Sequence, residues 1–289
     1  MGNFVKMITL STSEIPIELK RLHTPPEKLY LSDNNLGELL AQPRLAVVGS
    51  RKVTAYGRAV TSNLSSSLAS RGVVIVSGLA LGVDSIAHSN CLQSKGKTIA
   101  VLPAGLDRIY PTSHHRLARD IVKNNGLLVS EYPPKTEPMR HNFIARNRII
   151  AGLAEGLLIT EAAVSSGSLH TARFALELGI PVFAVPGPIT NPMSEGTNNL
   201  IKSGAIPVTS VEDILDEMGW QNTIASEDEL PASSQEELII LKLIQSGITD
   251  GAELLIRSNL EASKYNQTMT MLEITAKIRP LGTNQWSIS

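Results

Sequence analysis

From residue 44 to 218, short apolar runs alternate with longer polar stretches whose apolar residues recur at helical spacing. The runs RLAVVGS (44–50), VVIVSG (73–78), KTIAVLPAG (97–105), LLVSEYP (127–133), LLITEA (157–162) and PVFAVPG (181–187) are nearly continuous in hydrophobicity and rich in β-branched residues. A strand with one wet face would alternate, so these runs predict strands covered on both faces. AIPV (205–208) predicts a last short strand. Helices are predicted over 54–72, with Thr54 as N-cap and Gly72 as stop, and over 83–96, about 113–125, 142–156, 168–179 (closed by Gly179), 196–205 and 211–219. Strand and helix in regular alternation predict an α/β domain built on a doubly wound parallel sheet. Its strands end in Gly-, Ser- and Pro-bearing turns. Ligands of such sheets sit beyond the strand C-termini, where helix N-termini offer free amide protons.

The flanks differ from this pattern. Residues 1–43 are short and irregular and form an N-terminal extension to the domain at 44–219. Residues 220–234, WQNTIASEDELPASS, have linker composition. Within 235–289, EELIILKLIQSG, GAELLIRSNL and ASKYNQTMTMLEIT predict three helices, and AKIRPLGTNQWSIS a hairpin around 281–284. Three short helices and a hairpin make a small C-terminal winged-helix domain. Residues 233–289 carry 5 basic and 6 acidic side chains. A DNA-reading winged helix is normally basic, so this one suits a protein contact better.

Composition narrows the classes. Of 289 residues, 42% are hydrophobic and 18% charged, which excludes a disordered chain. One cysteine, Cys91, excludes a disulfide scaffold and a Cys-based zinc site, and suits a reducing compartment. The opening MGNFVKMITLSTSEIPIELK contains no long apolar run, so neither a signal peptide nor a membrane span is expected, and the cytoplasm is. The net charge of −1 conceals an asymmetry. Residues 44–148 hold 15 Lys/Arg against 5 Asp/Glu, whereas 149–289 hold 7 against 17. A basic half inside a neutral chain is the footprint of a polyanion site, unless its charges merely scatter over a solvated surface.

The motifs bear on that choice. Gly49-Ser50-Arg51-Lys52-Val53-Thr54 follows a strand and opens a helix, so its amides are placed to face a phosphate that Arg51 and Lys52 would neutralise. The next glycine is Gly57, so this is not G-x-G-x-x-G, and a nicotinamide dinucleotide site is poorly supported. Gly96-Lys97-Thr98 mimics the end of a P-loop, but Cys91 stands where the first glycine belongs and a strand follows in place of a helix. Asp84 and His88 share a helix face; with no third ligand in register, a dipole-favoured aspartate and a packed histidine suffice. His114-His115 reads as an exposed helix start. No zincin or serine-hydrolase motif occurs. The richest stretch is 140–148, where Arg140, Asn142, Arg146, Asn147 and Arg148 surround Phe143. Cations track a single strand's backbone while an aromatic face stacks a base of any identity. Residues 165–171, SSGSLHT, form a second amide-rich turn at a helix start, and 185–201 a third loop rich in glycine and proline.

Taken in order, VGSR (48–51), SGLALGVDSIAH (77–88), GLDRIYP (105–111), SEYPP (130–134), NFIARNRIIAGL (142–153), SGSLHTA (166–172) and VPGP…EGTNNLIKSGA resemble the DNA-processing protein A family, DprA or Smf. The resemblance covers about 44–218 and extends to the winged-helix tail. It implies an extended Rossmann-like domain that binds single-stranded DNA, dimerises, protects incoming DNA and loads RecA in natural transformation. It implies no catalysis, no cofactor and no membrane. Carried over by position, Arg51 and Arg140 correspond to pocket cations and Phe143 to the base-stacking ring. Gly49, Ser50, Lys52, Arg146, Asn147, Arg148, Gly167 and Ser168 complete the expected DNA-binding set. The chain departs from the family in having Ile144 where a proline usually follows the phenylalanine, and in having no full helical-hairpin domain in 1–43.

A rival is an enzyme on a related fold, a nucleotide phosphoribohydrolase of the LOG type. That class carries P-G-G-x-G-T-x-x-E, with a catalytic carboxylate beside a phosphate loop. The corresponding turn here is SGSLHTA, and Glu161 is the nearby carboxylate. A third reading is a protein-interaction adaptor working through the acidic tail.

Overall fold

Each apolar run becomes a strand of one sheet. In a computed structural model, residues 7–220, 234–245, 248–275, 277–282 and 284–288 are described. The first compact unit, Met1–Ala225, begins with β1 (Ile8–Leu10), α1 (Ile17–Lys20), β2 (Leu29–Leu31) and α2 (Leu36–Leu40). It continues through β3 (Arg44–Val48), α3 (Ala55–Ser70), β4 (Val74–Ser77), α4 (Val83–Gln93), β5 (Thr98–Val101), α5 (His115–Lys123) and β6 (Leu127–Ser130). There follow α6 (Arg140–Gly152), β7 (Gly156–Ile159), α7 (Ser168–Glu177), β8 (Val182–Ala184), α8 (Glu195–Lys202), β9 (Ile206–Pro207) and α9 (Glu212–Met218). The sheet order is β1-β2-β6-β5-β4-β3-β7-β8-β9. All pairs from β6 to β9 are parallel, and β2 pairs antiparallel with both β1 and β6.

Alternate residues of each strand feed opposite cores, because successive Cβ atoms point to opposite faces. Ala46 and Val48 of β3 pack with Val74, Val76, Ile99, Leu157 and Ile159 under α1, α2, α6 and α7. Leu45 and Val47 pack with Ile75, Leu158 and Phe183 under α3, α4 and α9. Both faces are dry, which is why the strand runs carry no polar alternation.

The N-terminal extension of 1–43 joins this sheet over its described residues. Tyr30 and Leu31 pair with Ser130 and Val129, and Leu19, Leu22, Leu36 and Leu39 enter the core beneath α6. Three-residue strands are too short to show a period, so the sequence pattern hid them. A helix boundary also shifts: α6 starts at Arg140, two residues ahead of the expected 142. Met139 precedes it in extended conformation without a capping side chain, so the start carries no N-cap signature.

The second unit, Ser226–Ser289, holds α10 (Gln235–Gln245), α11 (Gly251–Ser258), α12 (Ala262–Ile274) and an antiparallel hairpin of β10 (Ile278–Gly282) and β11 (Gln285–Ile288). Asp250 caps α11 by accepting from the amides of Ala252 and Glu253, each at 3.0 Å. Ile240, Leu241, Leu254, Tyr265, Leu272 and Ile278 form its own core. The expected linker lies, from 221 to 233, outside the described residues, as does Thr283 in the hairpin turn. Among the described residues no helix is long and apolar enough to cross a membrane.

Candidate nucleic-acid interface

The chain winds outward from β3 through β4 and β5 to β6, then returns to place β7 on the other side of β3. After β3 it passes to α3 on one face of the sheet; after β7 it passes to α7 on the other. The two connections diverge, and a crevice opens beyond the strand ends where they part. A cleft of about 850 Å³ lies there. Its walls come from Val48 at the end of β3 and residues 49–52 after it, Ala80 and Asp84 after β4, Tyr110 after β5, the start of α6, and Ala163, residues 165–168, His170 and Thr171 around the start of α7.

Helix α6 supplies the richest wall. Arg140, Phe143, Ile144 and Asn147 follow i, i+3, i+4, i+7 and so share the face that lines the cleft. Phe143 is only half-buried, so it is not core. The Arg51 guanidinium carbon lies 5.0 Å from its ring centroid, within cation–π range. The Tyr110 ring meets it edge-on, with centroids 5.5 Å apart and planes at 77°. Arg51, Lys52 and Arg140 are all exposed. Exposed cations and a partly open aromatic pair thus face one concavity.

The floor is stiffer. Arg146 is 3% exposed and donates to the carbonyls of Gly78 and Val101, the first at 2.6 Å. Asp84 is also buried and accepts from the amides of Gly78 (3.1 Å) and Ala80 (3.4 Å). Burial pulls the Arg146 pKa down to about 10; the Asp84 charge opposes this and the Arg51 charge adds to it. Burial pushes the Asp84 carboxyl up, and Arg146, the two amides and Arg51 act against that shift. At neutral pH Arg146 keeps its proton, so it carries a fixed positive charge into the cleft while its donors tie down the β4 and β5 ends.

Opposite α6, the turn 165–168 leads into α7. Asn147 donates to the Gly167 carbonyl at 3.3 Å, and the Ser166 and Ser168 hydroxyls lie 2.7 Å apart. A Cβ at Gly167 would meet nothing within 4 Å, so the turn is open to a ligand. The amides of 168–170 make only local bonds of 3.2–3.4 Å. Thr171 lines the cleft at 1% exposure, and its hydroxyl finds no hydrogen-bond partner among the described residues. A buried orphan hydroxyl beside a helix N-terminus suits an acceptor such as a phosphate oxygen.

Of the eleven residues singled out in the sequence, the cleft gathers Gly49, Ser50, Arg51, Lys52, Arg140, Phe143, Arg146, Asn147, Gly167 and Ser168. Arg148 is not among the lining residues. It grips Glu131 in a two-pronged ion pair at 2.6 and 3.2 Å, with side chains 13% and 15% exposed. One residue beyond Asn147, it sits about 100° around the helix from it, which the linear motif conceals. A second correction concerns the first turn. Its amides were expected to face a phosphate, but Ser50 N–H bonds the Glu161 carbonyl at 2.7 Å and Thr54 N–H the Glu161 carboxylate at 2.8 Å. Asp84 and His88 serve separate roles. His88 is fully buried, with Nδ1 2.7 Å from the Thr98 hydroxyl. His115 is exposed at the first turn of α5, whereas His114 is partly buried with its Nδ1 2.8 Å from the Leu79 carbonyl. Among the described residues no group of three or more His, Cys, Asp or Glu gathers as a metal site. Tyr110 was missed; its signal was an aromatic in GLDRIYP, on a loop following a strand.

A mostly parallel sheet with a cationic, aromatic-lined cleft at its switch point defines a Rossmann-like fold whose candidate site lies beyond the strand ends. The family model for DNA recombination-mediator protein A matches residues 6–219, and the chain belongs to that family. Protein Smf of Escherichia coli is 53% identical over 175 residues, covering 61% of this chain and 47% of that relative, so the chain spans about half its length. The DNA processing protein DprA of Bacillus subtilis is 39% identical over 218 residues, covering 75% of this chain and 73% of the relative. Among solved structures, DprA from Streptococcus pneumoniae superposes with a TM-score of 0.69 at 41% identity, over 74% of this chain and 75% of that one. DNA processing protein A of Helicobacter pylori, whose structure addresses its binding of single-stranded DNA, gives 0.67 at 36% identity over 75% and 97%.

Proposed function

We propose that this protein is a single-stranded DNA-binding protein of natural transformation and recombination, holding unpaired nucleotides in the cleft at the sheet's switch point. The observation that carries this reading is the convergence of Arg51, Arg140 and Phe143 on one cavity. Arg51, Lys52 and Arg140 neutralise backbone phosphates, and the Phe143 ring stacks a base without reading it. Gly49, Ser50, Asn147, Gly167 and Ser168 shape the remaining wall, and Arg146 supplies a fixed charge. The single-stranded DNA binding addressed in the Helicobacter pylori relative supports the ligand class. Binding requires no metal and no nucleotide. The protein acts in the cytoplasm as a homodimer that protects incoming DNA and hands it to RecA, and it does so without catalysing a reaction. The second unit works as a winged-helix domain toward protein.

The phosphoribohydrolase reading loses its catalytic group. Glu161 is 1% exposed, its carboxylate is held by Thr54, and it does not line the cleft.

The test is a filter-binding titration with single- and double-stranded oligonucleotides at two ionic strengths. Single strands should bind more tightly, with log affinity falling by about 0.7 per decade of salt for each phosphate neutralised. Arg51→Ala should remove about one such increment. Salt-independent binding, or wild-type behaviour from both Arg51→Ala and Arg140→Ala, would overturn the proposal.

A further inference from the structure

The first turn of the cleft is built around a buried acid. Glu161 follows β7, at the strand end beside β3, and reaches the 50–54 turn at both ends. Its carbonyl accepts from Ser50 N–H at 2.7 Å. Its carboxylate accepts from Thr54 N–H at 2.8 Å and from the Thr54 hydroxyl at 2.5 Å. Thr54 is the N-cap of α3, and its Oγ1 accepts in turn from Gly57 N–H at 3.1 Å. The acid therefore holds the place at the start of α3 where a bound phosphate would otherwise sit.

The neighbouring sequence is cut to fit it. A Cβ on Gly49 would stand 2.7 Å from the Glu161 carbonyl, and one on Gly57 would stand 2.5 Å from Oε2. Both glycines are needed for close approach of the same residue. Between the two fixed ends, Arg51 and Lys52 project outward, exposed, with Arg51 over the Phe143 ring. A buried carboxylate with charge-assisted bonds at 2.5 and 2.8 Å holds a loop far more firmly than water would.

We propose that Glu161 is a positioning residue of the cleft: an internal anion that replaces phosphate at the α3 N-terminus and fixes the turn from which Arg51 and Lys52 reach DNA. The inference rests on the reading of the cleft as a single-stranded DNA site. It accounts for a helix start at a switch point where the Ser50, Lys52 and Thr54 amides serve the protein instead of the ligand, with the Arg51 and Lys52 side chains reaching out between them.

The experiment is a double-mutant cycle read by polarisation of a labelled oligothymidylate. Glu161→Ala should weaken binding about tenfold, as expected for the loss of one well-placed charge contact. In an Arg51→Ala/Lys52→Ala background, the same change should weaken binding no further, because the groups it positions are gone. A residue that merely supports the fold would cost affinity in both backgrounds. Should Glu161→Ala fold poorly by thermal melting, the Thr54 pair carries the test: Thr54→Ser retains the cap and should bind as wild type, whereas Thr54→Val should weaken binding in the wild-type background alone. Losses that multiply across the cycle, or wild-type affinity in Glu161→Ala or in Thr54→Val, would overturn the inference. Wild-type affinity in Arg51→Ala/Lys52→Ala would instead overturn the reading of the cleft.

Discussion

Arg148 separates two explanations of the same motif, and its substitution by alanine distinguishes them. In the motif it follows Asn147 and looks like a third phosphate ligand; in the structure it is bonded to Glu131 at 2.6 and 3.2 Å. The pair is 13% and 15% exposed, so it is largely withdrawn from water. Removing one partner of a fully buried pair costs about 3–5 kcal/mol, chiefly by stranding the other charge; with some water access, about 3 kcal/mol is expected. For a unit of this size that lowers the melting temperature by roughly 6–12 °C. Tyr132 lies beside the pair, its pKa pushed up to about 12 by burial first and then by the Glu131 charge and bond, so it stays a donor to the stranded carboxylate without neutralising it. Thermal melting measures the loss, and an oligothymidylate titration of the same sample at a temperature where it is folded measures the site. Arg148→Ala should melt early yet bind single strands with wild-type affinity and salt slope. Adding Glu131→Ala should recover part of the stability, because the stranded charge is then gone. A variant that melts like wild type but loses affinity and one phosphate's worth of salt slope would refute the assignment.

Three other outcomes follow from the geometry. Phe143→Ala should cost about 1–3 kcal/mol of single-strand affinity per stacked base with no change in salt slope, and Tyr110→Ala a smaller amount through loss of the edge-on support, both read in the same titration. His88 gives a pH test. The Thr98 hydroxyl donates to the Ile75 carbonyl at 2.6 Å, so His88 Nδ1 must donate to Thr98, and Nε2 is left unprotonated and buried, with no partner among the described residues. Burial lowers its pKa from 6.5 to about 3, with the His114 and Arg146 charges adding to the shift. Within that window the unfolded chain binds a proton that the folded one refuses, so its contribution to stability, complete above 6.5, declines as pH falls toward 3 at up to about 1.4 kcal/mol per pH unit. Asp84, whose pKa is raised, acts in the opposite sense. The readout is therefore the difference between wild type and His88→Gln in denaturant melts across pH: it should shrink as pH falls, and a constant difference would refute the assignment.

The alternation of continuous apolar runs with helical periods was sufficient to read a doubly wound sheet, because strands buried on both faces cannot hide their composition. Thr54, the N-cap, and Gly179, at φ +68 after α7, sit where the sequence placed them. The strand-end turns also marked where the cleft opens, since parallel topology fixes which end of the sheet the helix N-termini face. Other features required coordinates. Strands β1 and β2 are three residues each; β2 is held by pairing with β6, a partner about one hundred residues away, and β1 by pairing with β2. Arg146 and Arg148 have the same side chain two positions apart, yet one is tied to carbonyls at the cleft floor and the other is locked to a carboxylate outside its lining. Glu161, 107 residues from Thr54, looked like a stray catalytic acid until its partners were seen. Periodicity reports how a segment meets water, and so it specifies the layers of this fold. What a charged side chain does depends on which distant groups the fold brings within about 3 Å of it, and only tertiary structure decides that.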